Sequence, residues 1–222
     1  MSYFTSSFTE FFTRLETNNS TDWFNANRKT YEKEVKKPFA GLVEEMIGRI
    51  AAFEHDVAIK PADAISRINK DIRFSKDKTP YNTQVSANIS RFGKKDKSYP
   101  GFYFQLSANK LAVFGGAYML EPAALKTMRD YITGHLTEFS GAYNDKAFRE
   151  KFGSIQGEQS KRIPPEYEAV VSKEPLIANK QFYYSAELDP GLITSASLPD
   201  TLMEYYHASV GVNVFLRKAL NS

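Results

Sequence analysis

Apolar residues change their spacing twice along this chain, and the change limits the folds that the chain can adopt. Towards both ends they recur every three to four residues, as on one face of an α-helix. Between about residues 65 and 116 they alternate with polar residues, as in strands that bury one face. Helices first, strands in the middle and helices after them predict an α+β fold with a central antiparallel sheet. We expect a meander of about four or five strands.

The two helical parts have recognisable limits. The N-terminal part, 7–53, ends with a helix predicted over 38–53, because Pro38 suits a first turn, where its missing N–H costs nothing. The C-terminal part, 121–220, is expected to be helical and mixed. Its predicted elements are a helix over 121–139, a short helix over 145–152, an irregular stretch over 153–175, a sheet-edge strand over 181–188 and a terminal helix over 198–220.

The middle part, 65–116, is expected to form the sheet. Its alternating stretches predict strands over 65–74, 84–92, 101–107 and 111–114. Gly115-Gly116 is expected to break regular structure or to mark a close backbone contact. Each strand offers one apolar face, so the flanking helices should cover that face and leave a more polar face opposite.

Composition is that of an ordinary globular protein. Of the 222 residues, 42% are hydrophobic and 14% aromatic, which favours a single domain over 1–222 with a well-buried core. No apolar run approaches the roughly 20 residues of a membrane span, and the N-terminus lacks the basic and apolar regions of a signal peptide. We therefore expect a cytoplasmic protein without a membrane partner. The absence of cysteine excludes disulfides, thiolate catalysis and iron–sulfur clusters.

Positive charge is concentrated locally. The net charge is only +3, yet residues 67–97 contain nine Lys or Arg against three Asp. A strand over 67–73 would place its two arginines and Asp71 on one side, where forked hydrogen bonds could hold a phosphate or carboxylate. The sequence thus predicts a site for a small, phosphate-bearing anion beside the polar sheet face. The candidate ligand-binding residues are Arg67, Asn69, Asp71, Arg73, Lys76, Lys78 and Tyr81.

Three other interpretations of the basic region stay open. In the first, Asp71 pairs with the arginines and only fixes a loop, in which Asp77 caps a turn and Pro80 stiffens the exit. In the second, Asp71 and Asp77 serve a metal-assisted or phosphoryl-handling enzyme, although neighbouring cations should lower the pKa of Asp71 and make it a poor proton carrier. In the third, the loop 91–97 binds nucleic acid or a protein, since it combines four cations with Phe92. A merely solvated loop would look the same.

Other catalytic patterns are missing from the sequence. The three histidines, His55, His135 and His207, have no partner at metal-ligand spacing, so no metal site is predicted. Neither a nucleophile elbow nor a phosphate-binding glycine loop is present. Catalytic residues, cofactors and the oligomeric state are therefore not indicated, and whether the protein is an enzyme stays open.

The stretch Arg67-Ile-Asn-Lys-Asp-Ile-Arg-Phe-Ser-Lys-Asp-Lys-Thr-Pro-Tyr81 closely resembles the signature of an uncharacterised, mainly bacterial family catalogued as domain of unknown function 2461. Further similar elements are Phe8 to Leu15, Asn18-Asn19, Trp23-Phe24, Tyr31, Gly115-Gly116 and Lys180 to Phe182. Two positions depart from the family pattern. Lys70 stands where Arg is expected, and no His precedes Pro175, where Glu174 stands instead. The resemblance implies no activity, substrate or catalytic residue.

Overall fold

A computed structural model describes residues 2–222 of the chain. Helices occupy the N-terminal part, three strands of a four-stranded antiparallel sheet follow, and the C-terminal part is mostly helical and supplies the fourth strand. The α+β prediction is confirmed, including a sheet of about four strands flanked by helices.

The helices before the sheet owe their limits to local sequence signals. They are α1 (Ser6–Thr17), α2 (Thr21–Ala26), α3 (Arg28–Thr30), α4 (Lys37–Ala51) and α5 (Pro61–Ala64). The Ser20 hydroxyl accepts a hydrogen bond from the Trp23 N–H (3.3 Å) and so caps α2. A π-helical turn, Tyr31–Lys36, runs directly into α4. The predicted apolar stripe of α4 is fully buried and consists of Phe39, Leu42, Val43, Met46, Ile47 and Ile50.

The strands pair in the order in which they occur along the chain. They are β1 (Gln84–Ile89), β2 (Gly101–Ser107), β3 (Leu111–Ala117) and β4 (Phe182–Leu188). The prediction of a break at Gly115-Gly116 is wrong, because both glycines lie within β3. The close contact is nevertheless present: a Cβ on Gly115 would lie 2.1 Å from the Tyr184 hydroxyl oxygen, and one on Gly116 would lie 2.2 Å from the Phe182 carbonyl oxygen. Glycine lets neighbouring backbone approach β3 here.

The predicted strand over 65–74 does not form. Only isolated antiparallel bridges occur, Ile65 with Ala87 and Asn69 with Tyr81, and residues beyond 70 follow bends. Side chains in this stretch hydrogen-bond to nearby backbone instead, for example Asp71 to the Arg73 N–H, and such local bonds compete with a strand ladder. The alternating pattern therefore did not correspond to a buried face, and Phe74 is 95% exposed.

Helices after the sheet follow the predicted pattern with one interruption. They are α6 (Pro122–Gly134), α7 (Leu136–Tyr143), α8 (Lys146–Phe152), α9 (Pro165–Val171) and α10 (Leu198–Leu220). The helix predicted over 121–139 is divided at His135, whose backbone is not helical (φ −134°), next to the poor helix former Gly134. The stretch 153–175 is largely irregular but contains α9, which begins at Pro165.

The chain forms two compact units, and the single-domain interpretation stays a prediction. The first comprises the chain up to Lys94, Tyr103–Val113 and Glu187–Met203, and the second comprises Lys95–Phe102, Phe114–Ala186 and Glu204–Ser222. In the first unit, contacting rings of α1, α2, the π-helical turn and the chain just before β1 form a core: Phe8, Phe11, Phe12, Phe24, Tyr31 and Tyr81. Such ring pairs contribute beyond the area that they bury.

The second unit has its own aromatic core, in which the rings of α7 and α8 contact β4 and α10. Its members are Phe139, Phe148, Phe152, Phe182, Tyr184 and Phe215. The buried Tyr184 hydroxyl donates to the Asn213 amide oxygen (2.8 Å), which satisfies a polar group inside this core. Across residues 2–222, no helix combines the length and the apolar character needed to cross a bilayer.

Candidate functional site

Residues 67–81 have the strongest sequence signature. They form the loop and the adjoining part of an incomplete hairpin in the first unit. The Ser66 N–H donates to the Ser86 carbonyl (2.9 Å), and Ile65 bridges Ala87, so the chain entering the segment runs beside the outer edge of β1. At the far end of the hairpin, the Lys70 N–H donates to the Pro80 carbonyl (2.9 Å). The residues between Lys70 and Pro80 project as a loop.

Tyr81 anchors this segment in the core of the first unit. Its side chain is only 4% exposed, and its ring stacks on Phe24 with 3.9 Å between centroids. The Asn19 side chain clamps the backbone at the same point: its amide donates to the Tyr81 carbonyl (2.9 Å) and its oxygen accepts from the Tyr81 N–H (3.1 Å). Tyr81 was predicted as a ligand-binding residue, and the structure places it as a buried support of the loop.

Asp71 and Arg73 pair with each other at the surface. The Arg73 Nε and Nη2 atoms donate to the two carboxylate oxygens of Asp71 at 2.9 and 2.7 Å, a forked geometry. The pKa of the Asp71 carboxyl is lowered by this side-chain bond first, then by the Arg73 backbone N–H, and further by the charge of Arg67. The structure therefore joins Asp71 and Arg73 in an exposed pair, and Arg67 contacts neither of them directly.

A second pair closes the loop around Asp77. The Lys70 Nζ donates to the Asp77 carboxylate (2.7 Å) and to the Thr79 hydroxyl oxygen (2.7 Å). The Thr79 N–H and hydroxyl both donate to Asp77, at 2.9 and 2.8 Å. The pKa of Asp77 is held well below its ordinary value, chiefly by the Lys70 hydrogen bond and then by Thr79. Both carboxylates of the segment are thus committed to cations of the same segment.

The remaining predicted residues of the segment differ in how much freedom their side chains have. Lys78 donates to the Ile72 carbonyl (2.9 Å) and so ties the two sides of the loop together. Within residues 2–222, the side chains of Arg67 and Lys76 form no hydrogen bond or ion pair, and both residues are exposed. Asn69 is also exposed, and its backbone forms an isolated antiparallel β-bridge with Tyr81.

Sequence reasoning missed two contributors to this site, the Asn19 clamp and the exposure of Phe74. Asn19 lies 62 positions from its partner Tyr81, and no local pattern indicates such a contact. The Asp77–Thr79 turn, by contrast, agrees with the interpretation in which Asp77 caps a turn, because an Asp commonly accepts from the backbone two residues later. The exposure of Phe74 was hidden by the alternating pattern around it.

The polar face of the sheet is less open than its sequence predicts. Ser86 is 6% exposed, and the Gln84 amide donates to the Gln105 side-chain oxygen (3.0 Å). Burial raises the pKa of the Tyr103 hydroxyl, and a hydrogen bond with Ser86 opposes that effect. Apart from Arg67, the exposed charges of the 67–81 segment lie on its projecting loop.

In the 91–97 loop, the charges make other contacts. The Lys94 Nζ donates to the carbonyls of Ala62 (2.6 Å) and Ile65 (2.8 Å) and so caps the end of α5. Arg91 lies 4.0 Å from Asp56 and its guanidinium is 4.6 Å from the Phe92 ring centroid. Lys95 and Lys97 are exposed.

Neither a metal-binding cluster of acidic residues nor the surface depression beside α1 provides an alternative site at the 67–81 segment. No group of three or more His, Asp or Glu in the described part of the chain is arranged to hold a metal ion. A surface depression of about 310 Å³ lies in the first unit beside α1, and its charged lining mixes acids with bases: Glu10, Arg14, Lys29, Lys33 and Glu34. No residue of the 67–81 segment lines it.

Fold and site together define an α+β protein with an exposed basic segment whose acids are internally paired. A family model described as conserved hypothetical protein (DUF2461) matches residues 7–215, and the chain belongs to this family. The resemblance noted at Arg67–Tyr81 is thereby confirmed. A search of curated proteins found no significant match.

Proposed function

We propose that the 67–81 segment binds a small, phosphate-bearing anion, with Arg67 and Lys76 as its principal cations. One observation carries the proposal: the two acids of the segment are already paired with Arg73 and Lys70, whereas the side chains of Arg67 and Lys76 are exposed and form no bond within residues 2–222. An anion that approaches the segment meets two cations that are not held in an ion pair.

The pairing also changes the role assigned to Arg73. Its fork already faces Asp71, so Arg73 acts first as an orienting group that fixes the loop. Arg67 lies close enough to Asp71 for its charge to lower the Asp71 pKa, and it keeps a full guanidinium for a ligand. A guanidinium can donate two parallel hydrogen bonds to a phosphate, and a lysine adds a point charge.

Exposure limits the strength of this site. Solvent and salt screen charges at an open surface, so binding should weaken steeply as the ionic strength rises. It should also favour ligands with several adjacent negative charges. Tripolyphosphate is therefore the probe of choice, because it offers several charges in a short chain and no other recognition group.

Calorimetric titration with tripolyphosphate at low salt tests the proposal. The Arg67→Ala/Lys76→Ala double variant should bind at least about tenfold more weakly, because each lost charge-assisted bond has an effect of about that size. The matched control is Lys95→Ala/Lys97→Ala, which also removes two exposed cations from a basic loop and should change affinity by less than about twofold. Both variants alter exposed side chains, and circular dichroism verifies that they fold.

Two results would refute the proposal. In one, the Arg67→Ala/Lys76→Ala protein binds tripolyphosphate as tightly as the natural chain does. In the other, both double variants lose affinity equally, which means that the probe senses overall charge and not this segment.

A further inference from the structure

Phe74 occupies an unusual position for a phenyl ring. It is 95% exposed, and no other large apolar side chain in residues 2–222 is as exposed: the next are Phe53 at 62% and Met119 at 61%. Phenylalanine is normally among the most buried residue types. The ring therefore stands in water at the tip of the segment for which anion binding is proposed.

The loop around this ring is held in place from both sides. Arg73, next to it in the chain, is fixed by its fork to Asp71, and its guanidinium lies 5.9 Å from the Phe74 ring centroid. Lys78 reaches back across the loop to the Ile72 carbonyl (2.9 Å). The exposed ring is thus presented by an ordered loop, and most of its surface is accessible.

The charged side chains around the Phe74 ring favour one chemical class of ligand. An apolar protein surface or a lipid interior would have to strip water from Arg73, Lys76 and Lys78, at high cost. A ligand with a flat aromatic group and adjacent phosphates avoids that cost, since the aromatic group stacks on the ring while the phosphates meet the cations. Nucleotides combine these two chemical features.

We propose that the ligand of the 67–81 segment is a nucleoside phosphate, free or within a single strand, whose base stacks on Phe74. This inference rests on the proposed function, which supplies the phosphate contacts through Arg67 and Lys76. It adds the aromatic group to the ligand and a recognition role to Phe74. Because stacking accepts any base, recognition should depend little on base identity.

Phe92 provides a matched comparison within the same unit. It is also an exposed phenylalanine that follows an arginine in a basic loop. However, it is only 40% exposed, and the Arg91 guanidinium lies nearer to its ring, at 4.6 Å from the centroid. Phe92 should therefore not serve as a stacking platform.

Fluorescence anisotropy with a short, labelled single-stranded oligodeoxythymidylate tests the inference. Phe74→Leu keeps an apolar side chain but removes the aromatic face, so affinity should fall by about fivefold or more. Phe74→Trp should bind at least as tightly as the natural chain. Phe92→Leu should leave affinity unchanged, and tripolyphosphate binding should be the same in all three variants.

Competition separates the two sources of the same chemistry. Displacement of the oligonucleotide by ATP at comparable phosphate concentration indicates a free nucleotide as the ligand, and poor displacement indicates a strand; base stacking itself is decided by the Phe74→Leu measurement. If Phe74→Leu binds the oligonucleotide as well as the natural chain does, the inference is wrong while tripolyphosphate binding can still stand. If tripolyphosphate binding does not depend on Arg67 and Lys76, the proposed function itself is refuted.

A vesicle experiment addresses the lipid alternative. Vesicles of phosphatidylserine and phosphatidylcholine should bind the natural chain only through the charge of their headgroups. Tripolyphosphate should therefore displace them. Tight vesicle binding that is lost in Phe74→Ser would show that the side chain at this position inserts into lipid, and it would overturn the assignment of a base-stacking role.

Discussion

The 67–81 segment and the 91–97 loop have the same net charge but use it differently. The first contains five Lys or Arg and two Asp, and the second contains four Lys or Arg and one Asp. In the 67–81 segment both acids pair with cations of the segment itself, Asp71 with Arg73 and Asp77 with Lys70. The positive charge left over belongs to exposed side chains.

Two of the four cations of the 91–97 loop are occupied by other groups, and the other two are exposed and flank an acid. Arg91 faces Asp56, and Lys94 binds backbone carbonyls at the end of α5. The Asp96 carboxylate accepts from the N–H and hydroxyl of Ser98 (2.8 and 2.6 Å), so its negative charge stays beside the flanking Lys95 and Lys97. Equal net charge in a sequence therefore does not mean an equal binding surface, because the partners of each charge decide what a ligand meets.

Removing the aromatic side chain of each stretch should give the largest difference between them, measured as the loss in the free energy of unfolding. Tyr81→Ala should lower the free energy of unfolding by about 3–5 kcal/mol, as for other large core aromatics, because it removes the ring stacked on Phe24. Denaturant titration followed by circular dichroism measures this change. Asn19 would also lose the ordered backbone that it clamps.

Phe92→Ala is the counterpart in the other stretch. Since its ring is 40% exposed, the same measurement should give a loss of less than about 1 kcal/mol. Similar losses in the two variants would contradict the view that only the 67–81 segment is anchored in the aromatic core.

Lys94 tests whether a cation of the 91–97 loop is structural. Lys94→Met keeps the aliphatic stem but removes the bonds to the Ala62 and Ile65 carbonyls, so stability should fall by about 1–2 kcal/mol. Lys97→Met changes an exposed lysine of the same loop and should stay within about 0.5 kcal/mol of the natural chain.

The opposite pattern would break the comparison. If Lys94→Met left stability unchanged but weakened oligonucleotide binding, the 91–97 loop would be a binding surface after all, as one of the sequence interpretations holds. Thermal unfolding and anisotropy on the same variants distinguish these outcomes.

Periodicity predicted the regular elements of this fold well, and it failed where side chains bond to nearby backbone. The limits of β2 and α10 match the predictions because a long, consistent pattern of burial defines each. The alternating residues from Ile65 to Phe74 look the same in the sequence, yet Asp71 and Lys78 bond to local backbone and no full ladder forms. Pattern alone does not reveal whether a partner strand is available.

For the candidate site, local chemistry could be predicted and distant contacts could not. The lowered pKa of Asp71 follows from the nearby arginines, which the sequence already places there. The Lys70–Asp77 pair depends on how the loop folds back across seven positions, and the Asn19–Tyr81 clamp depends on the tertiary fold. The proposed function rests on which cations are unpaired. These cations can be identified only when all of these contacts are known.

Internal pairing, the feature that separates the 67–81 segment from the 91–97 loop, should also appear in titration of its acids, as the smallest effect. Unfolded aspartate has a pKa of about 3.9, and the folded pKa of Asp77 is lowered, mainly by Lys70. A depressed folded pKa means that the pairing stabilises the folded loop above the unfolded pKa and is lost as pH falls through the folded value. Lys70→Met should therefore raise the Asp77 pKa towards 3.9 and leave Asp71 unchanged, whereas Arg73→Gln should raise the Asp71 pKa alone, as measured by NMR of the side-chain carboxyl carbons. A shift of both acids in either variant would mean that the segment is one coupled network, and Arg67 and Lys76 could then not be treated as separate from its pairs.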